Sequence, residues 1–242
     1  MHRLYLLGGI GLRDASGQGA ADNLLAQSKV VGMLAYLALS PSGRFQRRDR
    51  LVGLLWPELD QEHARAALRK ALHIVRGALG DGVIVTRGDE ELTLAGDQLL
   101  CDAVEFTRAC DEGELERALD LYEGELMPGF HLPDCGDYDA WIEGERNDLR
   151  ERAVSAAWAL AQVLERDLKR TLAGQWARRA VQYAGTDERV LRRTMEMLDR
   201  VGDRAGALRL YADFCKRLRK ELDVDPSAET NALAASLRRR EA

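Results

Sequence analysis

Residues Gln61 to Leu79 read QEHARAALRKALHIVRGAL, and Gly80 to Leu94 continue as GDGVIVTRGDEELTL. At about 100° of helical advance per residue, Leu68, Leu72, Val75 and Leu79 fall on one stripe, with Ala64 and Ala71 beside it. Arg65, Arg69, His73 and Arg76 fall within about 80° of one another on the adjacent stripe. Asp60 stands where an N-cap is needed, and Gly80 supplies the stop. The spacing therefore predicts a helix over 61–79 that buries one side and presents basic groups on the next. Behind it, Val83–Arg87 reads as a strand, Gly88-Asp89-Glu90 as a turn and Glu91–Leu94 as the returning strand.

Upstream, Gln27–Leu39 is apolar on most sides through Val30, Val31, Met33, Leu34, Leu37 and Leu39. This predicts a buried helix closed by Pro41-Ser42-Gly43. A second helix is expected from about Arg47 to Trp56, halted by Pro57. The first 25 or so residues read as short strands: His2–Leu7 alternates weakly, Gly8-Gly9 interrupts it, and Asp14-Ala15-Ser16-Gly17 has turn chemistry. Three helices followed by a β-hairpin is the element order of a winged helix-turn-helix, an α+β domain over about residues 1–100.

From about Asp102 the texture becomes helix after helix, predicting an all-α domain over about 101–242. Helices are expected at Glu114–Tyr122, Asp137–Leu168, Leu172–Tyr183, Asp187–Arg200, Arg204–Leu222 and Ser227–Arg239, the last opened by Asp225 and Pro226. Ala118-Leu119-Asp120-Leu121-Tyr122 recurs as Ala207-Leu208-Arg209-Leu210-Tyr211. Ala173-Gly174 with Ala180 is matched by Ala205-Gly206 with Ala212. Small residues recurring at a step of 32 suit tetratricopeptide-like helix pairs of ~34 residues. The whole is thus expected to be mainly α.

The composition of the 242 residues, 46% hydrophobic and 31% charged, is that of an ordinary globular protein. The net charge of −5 is unevenly spread. Residues 1–100 hold 12 basic and 11 acidic side chains, whereas residues 101–242 hold 23 and 29. The acidic balance belongs to the C-terminal part, which leaves the N-terminal part free to meet nucleic acid. No apolar run reaches the ~20 residues that span a bilayer, and the N-terminus lacks a signal-peptide pattern, so a cytoplasmic location without membrane partners is expected. Cys101, Cys110, Cys135 and Cys215 form no CxxC pair, and neither a metal site nor a cofactor is expected.

The candidate DNA-contacting residues are Arg47, Arg48, Arg65, Arg69, Lys70, His73, Arg76 and Arg87. Arginine offers planar donor pairs that match phosphate oxygens or the O6/N7 edge of guanine. Glu62, on the same face, is placed to accept from a cytosine amine or to temper the charge. Lys70 points away from the stripe toward a neighbouring phosphate. A second basic cluster, Arg44, Arg47, Arg48 and Arg50, opens the preceding helix, where side-chain charge and helix N-terminus together suit a phosphate.

Other signals carry less. Gly8-Gly9-Ile10-Gly11 lacks the helix, the Lys-Ser/Thr pair and the distal acid of a nucleotide loop, and reads as a strand break. His131, Asp134, Cys135 and Asp137 are near in sequence but offer no nucleophile–base pair, so they read as a loop. His2 and His63 are expected in solvent without partners. Trp158 and Trp176 are expected in the core.

Several stretches together resemble a known family. Arg47-Arg48-Asp49-Arg50-Leu51 through Leu54-Leu55-Trp56-Pro57, then Ala67-Leu68-Arg69-Lys70-Ala71-Leu72 and Arg76-Gly77-Ala78-Leu79-Gly80, resemble the OmpR-type winged helix of Streptomyces antibiotic regulatory proteins. Leu121-Tyr122-Glu123-Gly124-Glu125-Leu126-Met127-Pro128-Gly129, Trp141-Ile142-Glu143-Gly144-Glu145-Arg146 and Glu221-Leu222-Asp223-Val224-Asp225-Pro226-Ser227-Ala228-Glu229-Thr230 are similar to their bacterial transcriptional activation domain. The resemblance covers nearly the whole chain. It implies a transcription activator whose third helix enters the major groove and whose helical domain mediates dimerisation and regulation. The expected partners are double-stranded promoter DNA with repeated half-sites, a second copy of the chain, and RNA polymerase. Two features depart from the pattern. Gly88-Asp89-Glu90-Glu91 makes an acidic wing tip that repels phosphate, leaving Arg87 as the wing's expected contact. Gly77 lowers helix propensity by roughly 1 kcal/mol, near the helix end where this is tolerated.

No catalysis is expected. The rival reading is an interaction module: a degenerate winged helix followed by helical repeats that bind a protein or ligand, forming the N-terminal part of a longer sensor.

Overall fold

The computed structural model describes residues 1–14, 22–41 and 43–239. Ala15-Ser16-Gly17 of the expected turn, Ser42 of the expected helix stop, and residues 240–242 lie outside these. The chain forms two compact units: Met1–Glu112 with Asp120–Leu149, and Gly113–Leu119 with Arg150–Ala242.

The first unit opens with β1 (His2–Tyr5) and β2 (Gly11–Arg13), then α1 (Asp22–Leu25), α2 (Ser28–Leu39), β3 (Gln46–Arg47), α3 (Arg48–Leu55) and α4 (Gln61–Leu79). A short 3-10 turn at Asp81–Val83 leads into β4 (Ile84–Arg87), β5 (Glu91–Leu94) and β6 (Leu99–Cys101). α5 (Asp102–Asp111) and α7 (Gly136–Arg166) as far as Leu149 follow, while α6 (Leu115–Leu121) belongs to the second unit up to Leu119. The strands make two three-stranded sheets, in the orders β2-β1-β6 and β3-β5-β4. The first has a parallel pair, with Leu4 opposite Cys101. In the second, the wing hairpin gains an edge strand through Gln46 opposite Leu92 and Arg47 opposite Glu91.

The expected winged-helix order of helices and hairpin is present, with differences at its margins. Asp22–Leu25 is a helical turn where strand was expected, and β3, β6 and α5 join the predicted elements. Asp60 caps α4 by accepting from the amides of Glu62 and His63, and Gly80 closes it at φ 95°. Ala64, Leu68, Ala71, Leu72, Val75 and Leu79 are buried. The apolar stripe of α4 thus belongs to the core, with Leu34, Leu51 and Leu55 also fully buried.

Later motifs fasten the N-terminal sheet. Gly8, at φ 78°, lies against Gly124, where an added Cβ would come within 2.9 Å of the Gly8 Cα. The Gly8 amide donates to the Glu125 carbonyl (2.9 Å), and the Met127 amide to that of Leu6 (2.7 Å). Arg146 Nε donates to the Leu126 carbonyl (2.9 Å), while its Nη2 donates to those of Met127 (2.7 Å) and Phe130 (2.8 Å). Gly8 is therefore a close approach between backbones, whereas a Cβ at Gly9 would meet nothing within 4 Å. Gly32 does similar work on α2, where a Cβ would meet the Leu132 side chain at 2.9 Å.

The second unit holds α8 (Arg170–Ala184), α9 (Glu188–Arg200), α10 (Arg204–Leu222) and α11 (Ala228–Arg239), with α7 contributing from Arg150. Three-residue connections join α7 to α8, α8 to α9 and α9 to α10. Connections this short make neighbours run antiparallel. The core comprises Val181, Leu191, Met195, Leu198, Ala207, Phe214, Leu218, Ala234 and Leu237. Trp158 and Trp176 pack half-buried on Ala161, Ala177 and Met197. Beyond residue 101 the described strand pairing is one isolated bridge, Leu7 with Leu126.

The internal similarity needs one adjustment. Gly174 and Gly206 are both buried, but Ala205 and Ala212 are exposed whereas Ala173 and Ala180 are buried. The shared feature is the glycine, which in both helices abuts the Arg178 guanidinium. α11 also starts later than expected. Ser227 is its cap, accepting from the Thr230 amide (3.4 Å), while Pro226 lies ahead of the helix.

Candidate nucleic-acid interface

Burying the apolar stripe of α4 fixes where its basic stripe points. Arg65, Arg69 and His73 are exposed, and Arg76 in the last turn is half-buried. Lys70 and Glu62 are also exposed. Among the described residues Arg69, Lys70, His73 and Arg76 enter no ion pair. Arg65 does: its Nη2 donates to Asp49 Oδ1 at 2.9 Å. That hydrogen bond, then the charges of Asp49 and Glu90, push the Arg65 pKa above its ordinary value. Both partners keep over two-fifths of their side-chain surface in solvent, 43% and 44%, so the guanidinium can still reach a ligand.

Arg65 and Arg69 line a cleft of about 260 Å³ together with Arg48, Asp49, Leu68 and the wing-turn acids Asp89 and Glu90. The wing is tied to the start of α3 here, because the Arg48 amide donates to the Glu90 carbonyl at 2.8 Å. Arg48 itself is half-buried, and its Nε is buried without a partner among the described residues.

The second basic cluster is dispersed. Arg47 is exposed on β3. Arg50 Nε donates to the Tyr36 hydroxyl at 2.6 Å, and Arg44 and Arg50 line a separate cleft with Trp141 and Glu145. Arg87, exposed at the hairpin end, is held by Glu91: its Nε lies 2.7 Å from Glu91 Oε2, and its Nη2 donates to the same oxygen. The guanidinium also stacks on Phe45, 4.5 Å from the ring centroid. The cross-strand register makes the pairing inevitable, since Arg87 and Glu91 face each other as the last pair before the turn.

Sequence reasoning overlooked Asp49 as part of this surface. Its signal was visible, one acid inside an arginine run, but its partner lies on another helix. The expectation of unpartnered histidines fails at His63, whose Nδ1 lies 2.7 Å from Asp60 Oδ2, and His2 is half-buried. In the loop at His131–Asp137, Cys135 is buried, its Sγ donates to the Leu55 carbonyl (3.4 Å), and burial pushes its thiol pKa up. His131 and Asp137 are exposed. Among the described residues no group of three or more His, Cys, Asp or Glu side chains is arranged to hold a metal ion. None of the described helices is long and apolar enough to cross a membrane.

Comparison with known proteins bears on the whole chain. The family model described as the bacterial transcriptional activator domain matches residues 90–238. The chain is 33% identical over 215 residues to the regulatory protein AfsR of Streptomyces coelicolor, an alignment covering 80% of this chain and 20% of that protein. It is also similar to the solved structure of Mycobacterium tuberculosis EmbR in complex with a low-affinity phosphopeptide, with a TM-score of 0.60 and 19% identity. That superposition covers 99% of this chain and 65% of the EmbR chain, and at such identity the likeness is one of fold. The chain thus spans a fifth of AfsR's length and just under two thirds of the solved EmbR chain.

Proposed function

The chain belongs to the bacterial transcriptional activator domain family, and we propose that within it this protein is a sequence-specific DNA-binding activator that inserts α4 into the major groove. It is a regulator of transcription and not an enzyme. The observation that carries the DNA-reading proposal is the division of α4. One stripe is sunk in the core, and the next holds Arg65, Arg69 and His73 in solvent beside a β-hairpin. A core-anchored helix with exposed arginines is the geometry that direct readout requires.

On this reading residues 1–100 bind DNA, and residues 101–242 carry activation and the pairing of two copies. Arg65 and Arg69 read base edges, Arg47 and Lys70 meet phosphates, and Arg76 contributes from the last turn. His73 contributes less than the arginines, whose planar donor pairs match a base edge. Arg48 serves mainly to organise the cleft. Arg87, already engaged by Glu91 and Phe45, is the weakest of the candidates. One winged helix covers few base pairs, so two copies on repeated half-sites gain affinity through their linkage. A cytoplasmic site of action and contact with RNA polymerase follow from the activator role.

The experiment is selection of bound sequences from random duplex DNA with the 242-residue chain. The expected result is an enriched motif present twice, with centres one or two helical turns apart. Recovery of no enriched motif would overturn the reading.

A further inference from the structure

Two features of the interface remain unused: the acid of the Arg47-Arg48-Asp49-Arg50 run, and the acidic wing turn that ought to repel DNA. They meet at one group. Asp49 Oδ1 accepts from Arg65 Nη2 at 2.9 Å, and Glu90 and Asp89 border the same cleft. The wing backbone is fastened at that place by the bond from the Arg48 amide to the Glu90 carbonyl. Among the described residues Arg65 is the one member of the α4 stripe with a carboxylate partner.

An exposed arginine samples many rotamers and takes any phosphate within reach. One Nη anchored by a carboxylate loses that freedom, while Nε and the other Nη stay available as donors. The anchor also offsets the charge that draws the guanidinium to phosphates. Both effects favour a planar base edge over a backbone oxygen. We infer that Asp49 is a positioning residue for specificity, holding the Arg65 guanidinium, under the field of the Glu90 carboxylate, in the pose that reads guanine. The inference rests on the proposal that α4 reads DNA. It also gives the acidic wing a role, since its carboxylates serve the reading arginine instead of the phosphate backbone.

The test is a base-by-base binding profile over the selected site, with affinity for scrambled duplex measured at several salt concentrations. The proteins are wild type, Asp49→Asn, Asp49→Glu, Arg65→Ala and the double variant. Asp49→Asn should lower discrimination at a single base position by about tenfold. It should also bind scrambled duplex more tightly, with the log–log salt slope steeper by up to about one unit. Asp49→Glu keeps a carboxylate and should retain the preference. On the Arg65→Ala background, Asp49→Asn should remove no further discrimination. An unchanged profile in Asp49→Asn, while Arg65→Ala loses its position, would overturn the inference and leave the reading of α4 intact. Additive losses in the double variant would overturn it too, because Asp49 would then act independently of Arg65. If Arg65→Ala itself keeps the full profile, the reading of α4 fails and the inference with it. Asp49 is exposed, so each variant should keep the wild-type circular dichroism spectrum.

Discussion

Asp102 is a buried carboxylate inside an otherwise apolar region, and its partners explain how it is tolerated. Its oxygens accept from the amides of Leu6 (2.9 and 3.0 Å), Leu7 (3.0 Å) and Ala103 (2.7 Å). It thereby joins the start of α5 to the end of the first strand. Asp102→Ala leaves those amides unpaired and should destabilise the protein by roughly 1–3 kcal/mol in urea titration. Burial pushes the Asp102 pKa up, and the amide hydrogen bonds only partly offset it. The folded state therefore holds this proton more tightly than the unfolded chain, whose aspartate titrates near 3.9. The proton-linked stabilisation is complete below that pH and is lost as pH rises through the folded value. Asp102→Asn should flatten this part of the stability–pH curve, and an unchanged curve would refute the linkage. The burial of Leu68, Leu72 and Val75 was legible in the sequence because helical periodicity is local. The role of Asp102 was not, because its Leu6 and Leu7 amide partners lie 96 and 95 residues away.

The elements divide in the same way. α4 and the wing hairpin could be read directly, since cap, stop, period and turn residues all lie within the segment. β3, of two residues, and β6, of three, exist through pairing with strands far away in sequence, and no alternation marks pieces so short. α1, four residues long, is equally invisible to periodicity. The Gly8 and Gly124 approach shows what such long-range pairing demands of the chain. Gly124→Ala would drive a Cβ to within 2.9 Å of backbone that cannot move aside as a flexible side chain does. It should cost about 1–3 kcal/mol of stability, read as a lowered melting temperature. Gly77→Ala, with nothing within 4 Å of the new Cβ, should leave stability unchanged or raise it by up to about 1 kcal/mol.

At the scale of the molecule, the charge split between the two parts of the sequence acquires a meaning. A nearly balanced N-terminal part places Arg65, Arg69 and Arg76 along α4 and Arg47 on β3, while the acidic excess belongs to the helical remainder. Membership of the activator family was legible because motifs recur in order along most of the chain. The candidate residues were legible as a stripe, but their individual states were not. Arg65, Arg87 and Arg50 have partners on other elements or across a strand pair, while Arg69 has no ion-pair partner among the described residues. Different arginines should therefore behave differently. Arg47→Ala, if it meets phosphate alone, should weaken binding to every duplex alike and reduce the salt slope by about one unit. Arg87→Ala should change affinity least, since its charge is already engaged by Glu91. Equal losses from both would contradict the ranking. The most direct test of the central claim is titration of Arg65→Ala and Arg69→Ala against the selected operator and a scrambled duplex at several salt concentrations. Each should lose about 1–3 kcal/mol on the operator, with relaxed preference at one base position. The fold should remain intact, whereas Leu72→Ala, at a site only 2% exposed, should destabilise it by about 2–5 kcal/mol. Full operator affinity and unchanged base preference in both arginine variants, with the fold intact by circular dichroism, would remove α4 as the reader of DNA.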